Sequence, residues 1–177
     1  MQLTWHGHAT WAVTVGETDL LIDPFFDNPK TELGPAEVDT PDFTLLTHGH
    51  ADHIAHVGAI GDSTVVATPE LAEYVTDEYG VDDTVGMNLG GTFQAGDAFV
   101  TMHRADHTNG FDTGYHHSGD VPAGFLIDDT DPAEAGAGEG TTFYHTGDTG
   151  LMSEMRDVIG PMVKWSPIGT AAASGSR

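Results

Sequence analysis

The chain alternates short apolar blocks with polar, turn-forming stretches. The segments 2–5, 11–15, 19–23, 43–47, 64–68, 98–103, 124–128 and 142–145 are rich in Val, Thr, Phe and Leu and bounded by turn residues. That pattern predicts β-strands. The opening three read as a meander, with Gly16 in the turn after Val15. A helical spacing runs through 68–80, with Thr68 as N-cap, Pro69 at the first helical position and Gly80 beyond the last. Leu71, Tyr74, Val75 and Tyr79 form its apolar face. Shorter helices are expected over 53–61 and over 150–160, the latter with Leu151, Met155 and Val158 on one side. Strands in runs with helices between them predict a mixed α/β layered domain. No internal repeat is visible. The acidic, Gly/Ala-rich stretch 128–141 reads as a hairpin tip. The stretch 108–123, carrying Phe111, Tyr115, His116 and His117, reads as a lid or binding loop.

Charge changes the picture more than length does. The 177 residues suit one domain. Against 28 Asp plus Glu stand 5 Lys plus Arg, a net charge of −23. Such like charge repels itself in dilute buffer. In roughly molar salt the Debye length falls to about 3 Å and the repulsion is screened. The composition therefore suits a salty cytoplasm, with an ordinary acidic protein as the alternative. It argues against nucleic-acid partners and anionic membrane surfaces, which need Lys and Arg. No apolar run approaches the roughly 20 residues of a membrane span. The N-terminal residues lack the basic and apolar regions of a signal peptide, so a cytoplasmic location is expected. The absence of Cys excludes thiolate ligands and a Cys nucleophile.

The chemistry concentrates in residues 45–56, where four of the 11 histidines fall. His48 and His50 are two apart at the end of an apolar strand, so alternation points both imidazoles the same way. Asp52 and His53 follow, and the small Gly49 and Ala51 let the backbone bend around an ion. Imidazole and carboxylate donors suit Zn²⁺, Fe²⁺ or Mn²⁺. No nucleophilic G-x-S-x-G, no P-loop and no G-x-G-x-x-G competes with this reading.

The His-x-His-x-Asp-His run resembles the signature of the metallo-β-lactamase superfamily. Gly7-His8-Ala9 and Ile22-Asp23-Pro24 resemble the opening of one branch, small metal-dependent hydrolases of lactonase-like, UPF0173 type. "RADHT" (104–108) matches an A-x-H-[ST] element and "YHTGDTG" (144–150) a G-D-T element. The resemblance spans residues 1–160 and implies an α/β fold, the αββα sandwich. It implies that His48, His50 and His107 hold one metal, that Asp52 and His53 hold a second, and that Asp148 bridges them. Two divalent ions are implied, zinc first, with manganese or iron as alternatives. The implied activity is attack by a metal-activated hydroxide on an ester, lactone, amide or phosphodiester of a small molecule. Asp52 would orient the nucleophile as well as ligate. His8, counted with Asp52 in the catalytic set, and Asp23 would stand beside the ions, holding loops or ligating imidazoles.

Several residues stay open at this level. His103 competes with His107, which the pattern and its loop position favour. Arg104 is the one cation near the expected site; it leaves a small phosphate ester open, while the acidic surroundings favour a neutral or lactone-like substrate. His6, His56 and His145 read as structural or exposed, and Trp5 and Trp11 as core. Members of the branch usually close the second metal site with a later His, and none follows His145. Residues 161–177 read as a flexible tail, either a natural end or a truncated or frame-shifted one; the loss of acids after Asp157 favours the second. On that reading the sandwich lacks its last strand and helix, and a non-catalytic metal-binding protein, an inactive hydrolase, or completion by a neighbouring subunit in a homo-oligomer become the alternatives. The charge reading has a direct test: the thermal midpoint should climb between roughly 0.1 M and roughly 2 M KCl. A flat response would mark an ordinary acidic protein.

Overall fold

The computed structural model describes residues 1–111, 121–134 and 139–159. Three antiparallel strands open the chain: β1 (Gln2–Trp5), β2 (Trp11–Val15) and β3 (Thr18–Ile22). β4 (Phe43–Leu45), β5 (Thr64–Ala67) and β6 (Thr84–Gly86) then add in parallel, giving a six-stranded sheet in sequence order. A four-stranded antiparallel sheet follows, ordered β10-β9-β8-β7, from β7 (Thr92–Ala95), β8 (Ala98–Arg104), β9 (Ala123–Asp128) and β10 (Thr142–His145).

Alternation along the strands builds the layers. Val13, Val15, Leu20, Ile22, Leu45 and Val66 of the first sheet pack on Val100, Met102, Phe125 and Ile127 of the second. Val65 and Ala67 flank Val66 and so face the other way, onto the helical layer. That layer holds α1 (Ala51–Ile54) and α2 (Pro69–Tyr79). Leu71, Ala72 and Val75 of α2 are its buried stripe, with Tyr74 and Tyr79 at the edge. Pro69 starts α2 without costing a hydrogen bond, and Gly80, at φ 70, ends it in the left-handed conformation.

The two sheets are clasped at the end where β3 begins. Gly16 (φ 59) and Gly96 (φ 57) lead the two-residue turns β2–β3 and β7–β8. Glu17 N–H donates to Asp97 Oδ2 at 2.8 Å, and Asp97 N–H donates to Thr18 Oγ1 at 2.8 Å. A side chain at either glycine would run into the opposite turn. At the other end Ala123 N–H donates to Thr47 O at 2.9 Å, joining β9 to the residues just after β4.

Several expectations shift. The helix expected over 53–61 begins two residues earlier, at Ala51, and breaks into a 3₁₀ turn, Val57–Ala59. Asp52 therefore lies on the helix and not in the turn before it. From the helix expected over 150–160, a π-type turn, Met155–Ile159, is present. Trp5 is not core: it sits on edge strand β1, half exposed, with its indole N–H donating to His8 O at 3.0 Å. Trp11 packs against the inter-sheet core. The lid residues Tyr115, His116 and His117 and the tail 161–177 lie outside the described residues. No helix among the described residues is long and apolar enough to cross a membrane.

Phe125 is fully buried between the sheets. Phe125→Ala should cost about 3–5 kcal/mol in denaturant unfolding at high salt; a cost near 1 kcal/mol would mean that the sheets close over the gap.

Candidate metal centre

Strand ends and the loops after them converge at the end opposite the glycine clasp. Beyond β4 the chain stays extended, and Leu46 N–H donates to Val66 O at 3.0 Å. His48 is fully buried, with Nδ1 3.0 Å from Thr47 Oγ1 and Nε2 3.0 Å from His50 Nδ1. His50 keeps extended backbone and is the N-cap of α1. That puts Asp52 and His53 on one short turn, directly under the imidazoles that precede it. Gly49 has to be small, because a Cβ there would fall 2.5 Å from the Phe111 ring. Phe111 is itself stacked on Tyr74, with centroids 4.1 Å apart.

His107 comes from the loop after β8. Asp106 N–H donates to Thr149 Oγ1 at 2.8 Å, and Gly150 N–H donates to Asp106 O at 2.9 Å. Those bonds tie the His107 loop to the Asp148 loop that follows β10. Gly147 (φ 60) lets that loop turn, and a side chain there would strike Ala123 O. His103 lies on the face of β8 opposite Val100 and Met102 and belongs to none of the converging donor sets.

Three donor sets form, each with its ligating atoms within 4.8 Å of one another: His48, His50 and His107; His48, His53 and Asp148; His8, Asp52 and His53. Asp148 Oδ2 stands 3.7 Å from His53 Nε2 and also 3.7 Å from His107 Nε2. One carboxylate oxygen thus sits at the junction of the two halves of the site. All the residues expected to ligate are brought together, and His8 joins them from the β1–β2 turn.

Asp23 holds this arrangement from behind. It is fully buried and accepts from Thr47 N–H (2.8 Å), Thr47 Oγ1 (2.7 Å) and His53 Nδ1 (2.7 Å). Burial alone would raise its pKa, but the charge and hydrogen bond of His53 reverse that and hold it below the ordinary carboxylate value. With Nδ1 bound to Asp23, His53 turns Nε2 toward the site. That atom is buried and has no hydrogen-bond partner. A carboxylate–imidazole pair of this kind fixes the tautomer of a metal ligand. A divalent cation is what the orphaned nitrogen and the surrounding imidazoles fit.

The protonation states of His48 and His50 agree. Burial, with the His53 charge next, lowers the His48 pKa to about 3. Burial, then His107, also lowers His50. Both imidazoles are neutral near pH 7, as ligation requires. Burial would likewise keep His53 neutral, but Asp23 and Asp148 outweigh it and raise its pKa to about 10 in the metal-free chain. Asp148, through its interaction with His53 first of all, is held well below the ordinary carboxylate range.

His145, read from sequence as structural or exposed, is buried and structural in a specific way. Its Nε2 bonds Ala9 O at 2.9 Å, and Gly147 N–H donates to its Nδ1 at 3.2 Å. It thereby joins the His8 turn to the Asp148 loop. Its place two residues before the Gly147-Asp148 turn was the available signal. Arg104 is engaged by Asp106 and, at 3.7 Å, by Glu154.

Both the fold and these donors find counterparts among known proteins. The family model described as the beta-lactamase superfamily domain matches residues 18–169, and the chain belongs to that family. Its sandwich is the metallo-β-lactamase αββα type; whether a last strand and helix are absent concerns residues outside the described ones. The chain is similar to a UPF0173 metal-dependent hydrolase of Halobacterium salinarum, 66% identical over 161 residues, covering 91% of this chain and 67% of that protein. Among solved structures it resembles Igni18, a metallo hydrolase from Ignicoccus hospitalis, at 27% identity and a TM-score of 0.67, covering 87% of this chain and 63% of that one. Its fold is also that of CmlA, a diiron beta-hydroxylase from Streptomyces venezuelae (19% identity, TM-score 0.60, 86% of this chain and 30% of that chain). The chain thus spans about two thirds of the length of the metal-dependent hydrolases it matches.

The raised His53 pKa fixes a pH dependence for the metal-free protein. A folded-state value above the ordinary 6.5 stabilises fully below pH 6.5, and that stabilisation is lost as pH climbs toward about 10. The lowered Asp23 and Asp148 act oppositely, stabilising above the ordinary carboxylate range and losing that as pH falls through it. Unfolding midpoints of chelator-treated protein should therefore decline on both sides. Asp23→Asn should flatten the alkaline decline; an unchanged alkaline limb would separate His53 from Asp23.

Proposed function

We propose that this chain is a two-metal hydrolase of small, uncharged esters, lactones or amides. The observation that carries the reading is Asp148 Oδ2, equally distant, at 3.7 Å, from His53 on one side and His107 on the other. His48, His50 and His107 would hold one cation, Asp52 and His53 the other, and Asp148 both. Zinc suits this set of imidazoles and carboxylates, and manganese or iron would also be accepted. When bound, such cations supply Lewis acidity and bring hydroxide within reach of neutral pH.

The chain's own residues do the rest. Asp52, its side chain half exposed, faces the open side and would orient the attacking water. Asp23 keeps His53 in one tautomer, so that its free nitrogen faces inward. Phe111, buried and stacked on Tyr74, packs against Gly49 and so backs the loop that carries His48 and His50. The preference for an uncharged substrate rests on Arg104, whose guanidinium is committed to Asp106 and Glu154 and so is not free for a phosphate. The acidic composition and the Halobacterium relative support operation at high salt.

Elemental analysis of protein purified at high salt without chelators, with turnover assayed on ester, lactone, amide and phosphodiester probes, tests this. Two equivalents of metal per chain and turnover of an uncharged probe are expected. His50→Ala and Asp148→Ala should each lose metal and turnover together, by more than the roughly 10–100-fold typical of groups outside the coordination sphere. Either variant with full turnover would sink the scheme. A metal-replete chain inert toward every probe would instead be a non-catalytic metal-binding protein.

A further inference from the structure

Two non-glycine residues in the described chain have positive φ: Asp23 (45°) and His8 (48°). Left-handed backbone is uncommon outside glycine and is kept only where the surroundings impose it. Asp23 holds the metal-facing His53. His8 is imposed just as firmly. Thr10 N–H closes the turn on Gly7 O at 3.0 Å, and Trp5 Nε1 donates to His8 O at 3.0 Å. Thr10 Oγ1 bonds Asp23 O at 2.7 Å, tying the turn to the end of β3. Gly7 is pressed against Asn28 and leaves no room for a side chain.

This turn carries the His8 imidazole over α1. Its Nε2 lies 3.2 Å from Asp52 Oδ2, and its ring meets that of His53 edge-on, with centroids 5.1 Å apart. The other flank of the ring rests on the edge of Phe25, at 5.6 Å. His8, Asp52 and His53 thus bring three donor atoms within 4.8 Å of one another, one of them the unpartnered Nε2 of His53. A tetrahedral cation with bonds of about 2.0–2.1 Å keeps neighbouring ligand atoms roughly 3.4 Å apart. The His8–Asp52 separation is close to that edge.

We propose that His8 is a direct ligand of the second cation, completing with Asp52, His53 and the shared Asp148 a site of two imidazoles and two carboxylates. This rests on the two-metal reading above and changes the part His8 plays in it. The nitrogen donor comes from the first turn of the chain, 44 positions before Asp52. The left-handed backbone of His8 then has a role, since in that conformation the ring lies over α1.

His8→Gly tests it, because glycine accepts the same φ without strain and leaves space for free imidazole. Metal-free wild type and variant would be titrated with Co²⁺ at high salt, following visible absorption, with an elemental count after desalting. Wild type should take two equivalents. The variant should bind the first within about threefold of wild type and the second more than a hundredfold more weakly, beyond the range typical of a group outside the coordination sphere. Added imidazole should restore the second equivalent and its spectrum. Two equivalents at wild-type affinity with an unchanged spectrum would overturn the proposal. So would a tenfold weakening without spectral change or rescue, which would make His8 a positioning partner of Asp52. If the wild type takes a single equivalent, the proposal fails while a one-metal hydrolase survives; with none, both fail. Should His8→Gly not fold, His8→Asn, which also tolerates left-handed backbone, gives the same affinity and spectral readouts.

Discussion

Asp23 carries its charge where no solvent reaches it, and the site is arranged around keeping that charge satisfied. An ionised carboxylate in a protein interior costs several kcal/mol unless hydrogen bonds replace its water. Three do: two from Thr47 and one from His53. Its own N–H donates to Leu45 O at 3.0 Å, so the same residue ties the end of β3 to the end of β4. Backbone register and ligand orientation are therefore one constraint. A shift of β4 by one residue would turn Thr47 to the other face and leave Asp23 and His53 facing the wrong groups.

The sandwich supplies the rigidity this needs. At one end the Gly16 and Gly96 turns interlock through Asp97 and Thr18. At the other, contacts between the sheets run through the site itself: Ala123 to Thr47, and His145 to Ala9. The donors come from both sheets, His8, His48 and His53 from the first and His107 and Asp148 from the second. Their spacing is thus set by how the sheets pack, through Phe125, Met102 and Leu45. Core packing and metal geometry are coupled, which ties chemistry at the rim to residues that never touch it.

What could be read from sequence follows from range. The His48–His53 run was legible because its donors are neighbours in the chain and its strand is uniformly apolar. His107 and Asp148 were legible only through family patterns, since nothing local marks them as partners. β6 and β7 escaped notice: Thr84–Gly86 has three residues and no buried one, and Thr92–Ala95 alternates between exposed and covered positions on an edge. Trp5 was misread because an aromatic on an edge strand looks like core until its exposed side is known. The place of His8 beside the site was legible only through the Gly7-His8-Ala9 family pattern, and its direct approach to Asp52 on α1 was not. That approach depends on a turn held by neighbouring Trp5 and by Asp23 and Asn28, which are distant from it in sequence.

The charge of the chain bears on what such a site can recognise. In molar salt the field of 28 carboxylates is screened within a few Å. Long-range steering of a charged substrate, in either direction, is then lost. Affinity has to come from contacts at the site. Arg104 is taken by Asp106 and Glu154, so the open side offers carboxylates and imidazoles. Under the proposed reading the bound cations would be the main attraction for a substrate, acting on the one oxygen they polarise. A neutral carbonyl compound needs nothing more. A phosphate ester would bring a charge that no free guanidinium among the described residues at this rim is placed to receive.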